Sequence, residues 1–116
     1  MLTLPSSVRV YLALDPVSMH LSFGRLAGLF RGLGLDPTEG HLFVFVNRPK
    51  THMKVLFFDR SGFCQLYKRL EQGSFAWPPI REGVMKLSVA QFEALFASLD
   101  WRRVHTPKVL PPAAAE

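Results

Sequence analysis

Catalysis by so short a chain would require acidic, histidine or cysteine side chains that converge. A metal-dependent nuclease or transposase needs carboxylates gathered to hold two ions. The nine acidic residues here are scattered, and Asp15, Asp36 and Asp59 sit where turns or helix caps are expected. No DxD, ExxH or HExxH grouping occurs, and neither does a Walker loop or a GxGxxG run. His20, His41, His52 and His105 lie far apart in sequence, near loops or helix faces, and are read as solvated. Cys64 falls in a predicted strand that shares a face with Leu66 and Leu70, and it is read as a buried structural cysteine. The expectation is a protein that is not an enzyme, with no metal, no cofactor and no small-molecule substrate.

Basic residues offer a second chemistry. Arg48, Lys50, His52 and Lys54 fall within seven positions, and Arg60 lies at the next turn. A short ribbon with cations at its tip can track phosphates or enter a groove. Further along, Phe63, Gln65, Tyr67 and Arg69 alternate with Cys64, Leu66 and Leu70, so aromatics and Arg69 share a side on which bases could stack. The plainer alternative is that Phe63 and Tyr67 pack under a helix while Lys68 and Arg69 are solvated. Arg48, Lys50, Lys54, Arg60, Lys68 and Arg69 are the expected DNA-contacting residues. The run Arg102-Arg103-Val104-His105-Thr106-Pro107-Lys108 reads as either a phosphate-binding arm or a solvated end.

Gly24, Gly28 and Gly32 recur every four residues along the first predicted helix. Each costs roughly 1 kcal/mol relative to Ala in a helix. Two readings stand side by side: a flat stripe that lets another backbone approach, from this domain's sheet or a partner, and a poorly formed helix. His20 and Arg31 fall near the stripe. His20, Gly24, Gly28 and Arg31 are the expected partner-binding positions.

The elements that must position these groups fit in one domain. The chain has 116 residues, of which 48% are hydrophobic, enough for a core. One cysteine excludes an internal disulfide. The start lacks a charged n-region, and the longest apolar stretch carries His20, Arg25 and Arg31, so neither a signal peptide nor a membrane span is read and a cytoplasmic protein is expected. A formal charge of +5 favours nucleic acid or an acidic partner.

Val8 to Leu14 reads as a strand closed by Asp15-Pro16. A helix is expected from Met19 to Leu33, with an apolar stripe of Met19, Phe23, Leu26, Ala27, Phe30 and Leu33. His41 to Asn47 and Met53 to Asp59 form a predicted hairpin. The first of these strands is apolar on both faces and should be central. Phe63 to Leu70 follows the turn Asp59-Arg60-Ser61-Gly62, and Ser74 to Trp77 is a further short strand candidate. After a strand at Val84 to Leu87, Ser88 and Gln91 form a capping box for a helix reaching Asp100. The fold class is α+β, a mostly antiparallel sheet meander packed with two helices. Residues 1–103 form the domain, and 104–116 are expected to be a disordered tail.

One resemblance is specific. It is carried by Gly40-His41-Leu42-Phe43-Val44-Phe45, Asn47-Arg48, Lys54-Val55-Leu56, Asp59, Gly62-Phe63-Cys64, and Tyr67-Lys68-Arg69-Leu70-Glu71 through Gly73, Phe75, Trp77 and Pro78. The opening Pro5 to Ala13 and the closing Leu87 to Arg102 agree as well. Together they resemble the small accessory protein, often called TnpB, of IS-sixty-six-type insertion sequences; an unrelated RNA-guided nuclease shares that name. The resemblance implies an accessory role in DNA transposition beside a separate transposase of the same element, either by binding element DNA or by helping assemble the transposase complex. The alternative is a protein–protein adaptor that binds the transposase without contacting DNA. It implies no catalytic residues. The family typically reads Asp-Met-Arg-(Arg or Lys)-Gly-Phe-Asp-Gly-Leu where the first helix begins. Here Ser18-Met19-His20-Leu21-Ser22-Phe23-Gly24-Arg25-Leu26 keeps the Met, Phe and Leu framework and replaces the charged positions.

Overall fold

The backbone amides and carbonyls of five short apolar runs are satisfied by pairing side by side. In the computed structural model, which describes residues 7–79 and 82–104, they make one sheet of order β4-β3-β2-β1-β5. The strands are β1 (Val10–Ala13), β2 (Leu42–Val46), β3 (His52–Phe58), β4 (Phe63–Arg69) and β5 (Val84–Leu87); the helices are α1 (Phe23–Gly32) and α2 (Val89–Phe96). The protein is therefore an α+β domain with a mostly antiparallel sheet. β2, β3 and β4 form the expected meander, and β5 runs antiparallel to β1. The β1–β2 pair is parallel, Tyr11 opposite Phe43, which obliges the chain to cross over through α1 between them.

β2 is buried at every position, as an apolar strand at the sheet's centre should be. Its side chains divide between two cores. Leu42, Val44 and Val46 join Val10, Leu12, Met53 and Val55 beneath α2, with Phe92, Leu95, Phe75, Trp77 and Trp101. Phe43 and Phe45 join Tyr11, Ala13 and Leu56 beneath Leu26, Ala27 and Phe30 of α1. Phe30 sits 4.6 Å from the Phe43 ring centroid and 5.1 Å from Phe45.

The helices are shorter than their apolar periodicity suggests. α1 begins at Phe23, not Met19, because the Ser22 hydroxyl accepts the Arg25 N–H as an N-cap while Ser18 to Leu21 closes a separate turn. Phe23 and Leu33 of the expected stripe are left about half exposed, at 48% and 47%. Gly34, at φ +83°, ends the helix with paired bonds from Gly34 N to Arg31 O and from Leu35 N to Phe30 O. The capping box of Ser88 and Gln91 starts α2 as expected. That helix stops at Phe96, short of Asp100, because Ser98 takes φ +63° and donates to Leu95 O, with Leu99 donating to Ala94 O. Ser74 to Trp77 is not a strand. Trp77 N–H turns back on the Phe75 carbonyl at 2.8 Å, so both side chains reach the α2-side core. The tail expected beyond Val104 lies outside the described residues.

Candidate functional site

Sheet pleating decides which polar side chains can meet. β3 and β4 pair with Lys54 opposite Tyr67, His52 opposite Arg69 and Met53 opposite Lys68. Alternation therefore puts His52, Lys54, Tyr67 and Arg69 on the α1 side and Lys68 on the α2 side. α1 covers β1, β2 and part of β3, but it stops short of the far half of β4. Tyr67 is left 59% exposed.

Beside that uncovered stretch lies a recess of about 620 Å³. One wall is the Pro16 to His20 segment that leads into α1; the other carries Asn47, Arg48, His52 and Tyr67. No acidic side chain lines it. Lys54 stands at its edge, with Nζ 3.2 Å from the Leu21 carbonyl and 5.8 Å from the Tyr67 ring centroid. The rings of His52 and Tyr67 are 5.9 Å apart and tilted by 34°.

The floor of the recess is held rigidly. Asn47 Oδ1 accepts the Thr51 and His52 backbone N–H groups at 2.9 and 3.0 Å, which fixes the orientation of its amide. Its Nδ2 must then donate, to Thr51 Oγ1 at 3.1 Å and to His52 Nδ1 at 3.0 Å. The Thr51 hydroxyl also lies 2.8 Å from Nδ1. Asn47 and Thr51 thus engage Nδ1 and orient the ring, which leaves Nε2 as the ring nitrogen turned to other contacts. The turn itself is tied down: Leu70 N–H donates to Thr51 O and Phe75 N–H to Lys50 O.

The cations expected to contact DNA do not form one patch. Arg48 is exposed and lines the recess. Lys50, half-buried at φ +62°, lines a second recess of about 560 Å³ that shares Pro16 and Arg48 and also contains Asp15. Trp77 is in the wall of that second recess, and its indole N–H is buried without a partner among the described residues. Arg69 is exposed and paired with Glu71 at 3.2 Å. Arg60 sits in the turn at the opposite end of β3 from Lys50, with the strand His52–Phe58 between them spanning roughly 20 Å at about 3.3 Å per residue. Lys68 turns to the other face, where its Nζ bonds the Phe96 carbonyl.

The expected partner-binding positions also separate. Gly24, Gly28 and Gly32 lie in a formed helix, and a Cβ at Gly28 or Gly32 would meet nothing within 4 Å. The stripe therefore faces solvent and does not serve close approach to the domain's own sheet. Arg31 is exposed in the last turn of α1. His20 precedes the helix and lies in the recess with Arg48 and His52, away from the glycines. The histidines are thus not uniformly solvated outliers: two share the recess, and His41 accepts the Arg9 N–H at 3.0 Å. Cys64 is half-buried, not buried, and its thiol donates to Asp59 at 3.5 Å. Burial and then the Asp59 carboxylate push that thiol above its ordinary range. No group of three or more metal-ligating side chains forms among the described residues, and no helix there is long and apolar enough to cross a membrane.

His52 comes to the site from the expected basic turn and Tyr67 from the expected stacking side of β4, while Asn47 is the lining residue to which the sequence assigned no role. The available signal was the phase of β3 and β4, which aligns His52 and Lys54 with Tyr67.

Residues 8–106 match the sequence pattern of the family described as "IS66 Orf2 like protein". The chain is 39% identical over 102 residues to the uncharacterized protein y4hO of Sinorhizobium fredii, covering 85% of this chain and 89% of that one. It is 33% identical over 106 residues to y4jC of the same organism, covering 90% and 91%. No solved structure matches it significantly.

Proposed function

The chain belongs to the IS66 Orf2-like family, accessory proteins of insertion sequences, and from that premise we propose that it serves transposition by binding DNA of its element through the recess beside Tyr67. One observation carries the reading. Arg48 and His52 line a cavity with the exposed Tyr67 ring, Lys54 lies beside that ring, and the cavity's lining includes no carboxylate. Phosphates and bases complement such a surface, and its affinity comes largely from counterion release. The protein would act beside the separate transposase, in the cytoplasm, supplying recognition or assembly and no bond-breaking chemistry.

The test is binding of the purified protein to the element's terminal repeats and to scrambled DNA across a salt series. Affinity that falls steeply with salt, and falls further for Arg48→Ala and Lys54→Ala, supports the reading. Absence of binding at low salt sinks it.

A second reading, an adaptor that docks on the transposase, draws on the outer face of α1. Leu29 is 45% exposed and Leu33 47%, beside Gly28 and Gly32. Capture of the transposase that is lost with Leu29→Glu and Leu33→Glu, with little response to salt, supports it.

A further inference from the structure

We infer that the recess takes an unpaired base of single-stranded DNA, stacked on Tyr67, and not the groove of a duplex. This rests on the DNA-binding reading above and deepens it.

The shape argues against a groove. To read a major groove a protein must project a helix or a two-stranded ribbon. The β2–β3 turn, where the basic residues cluster, does not project. Lys50 N–H closes on Asn47 O, and Leu70 and Phe75 bond the carbonyls of Thr51 and Lys50, so the turn is held against the body of the domain. What faces outward is a concavity of about 620 Å³, within the range of small-ligand sites and large enough for one nucleotide. In a duplex the base faces are hidden in the stack; only a single strand can offer one to a ring in a recess.

The chemistry agrees with the shape. Tyr67 is large, aromatic and 59% exposed on a strand whose pairing to β3 holds it in place. Lys54 lies 5.8 Å from its ring centroid, and His52 lies 5.9 Å from it on the same face of the sheet. The Asn47–Thr51–His52 network engages Nδ1 and holds the ring in place, so Nε2 is the ring nitrogen available to a base or phosphate. Arg48, on the recess wall and otherwise exposed, is placed for the adjoining phosphate. Stacking plus phosphate contact, without a donor–acceptor pattern that distinguishes bases, gives binding that is tolerant of sequence.

The experiment measures binding of the full chain, at one salt concentration, to labelled oligothymidine, to an abasic strand of equal length and to a duplex of equal length. The wild-type protein is expected to prefer oligothymidine over both. Tyr67→Ala should weaken oligothymidine binding by about 5- to 150-fold, the ordinary range for a lost base stack, and leave the abasic strand and duplex unchanged. Tyr67→Phe should retain oligothymidine binding, since the ring and not the hydroxyl does the stacking. Equal affinity for oligothymidine and the abasic strand, or Tyr67→Ala indistinguishable from wild type, overturns the inference. If the duplex is bound tightly and salt-dependently in that case, the DNA-binding reading survives alone. No binding to any of the three overturns both.

Discussion

The Lys68 ammonium lies 4.5 Å from the centroid of the Phe96 ring and donates to the Phe96 carbonyl at the last residue of α2. A cation there caps orphan carbonyls and meets the negative end of the helix dipole. Lys68 therefore joins β4 to α2 and is committed to the fold. Lys68→Ala is expected to lower stability by about 1–2 kcal/mol, from the lost cation–π contact and charged hydrogen bond. DNA affinity should change far less than in Arg48→Ala. Urea unfolding and a binding titration on the same two variants test this, and a large affinity loss for Lys68→Ala with unchanged stability would contradict it.

Ser98 closes α2 in a left-handed conformation, φ +63°, which glycine adopts without strain. Ser98→Gly is expected to stabilise the domain by about 1 kcal/mol. A rise in the urea midpoint with an unchanged slope is the sign to look for.

Gly28 lies in the middle of α1 with a helical backbone and open space where a Cβ would stand. Gly28→Ala should add up to about 1 kcal/mol of stability. If α1 docks on the transposase through its glycine stripe, the same variant should lose transposase binding. Greater stability with undiminished binding would remove Gly28 from any interface.

Asp59 links two pH effects. The Cys64 thiol, then the N–H groups of Ser61 and Gly62, hold its carboxyl below the ordinary value of 3.8. Asp36 is held low by the hydroxyl and the N–H of Thr38. A carboxyl depressed in the fold stabilises above its unfolded pKa, and that contribution disappears as pH falls through the folded value. Stability should therefore decline below about pH 4, with a shallower decline in Asp59→Asn and Asp36→Asn. A thermal-melt series in pH, compared with wild type, tests the sign.

Cys64 moves the other way. Its thiol is raised by burial and by Asp59, so the thiolate is scarce near neutrality. Alkylation by iodoacetamide at about pH 8 should be slower than for a free thiol and should accelerate in Asp59→Asn. Equal rates in the two proteins would show that the Asp59 contact does not govern the thiol.

The five strands and two helices were legible along the chain, though not the helix limits, because their signals are local. Alternation of Leu42, Val44 and Val46 with Phe43 and Phe45 made β2 the centre of the sheet, and Ser88 with Gln91 marked the start of α2. The segment from Tyr67 to Pro78 carried the family. The opposite facing of Lys68 and Arg69 was also legible, since neighbours in a strand point to opposite faces; grouping them by charge obscured it. How far the recess extends depends on contacts between segments distant in sequence. β1 pairs in parallel with β2 across 32 residues, and that crossover brings the Pro16 to His20 segment against His52 and Tyr67. It likewise left Tyr67 exposed while Phe63, four residues earlier on the same face, packs near Phe23 of α1. Strand phase gives a side chain's direction, but what covers it depends on segments distant in sequence, and no local pattern records their arrival.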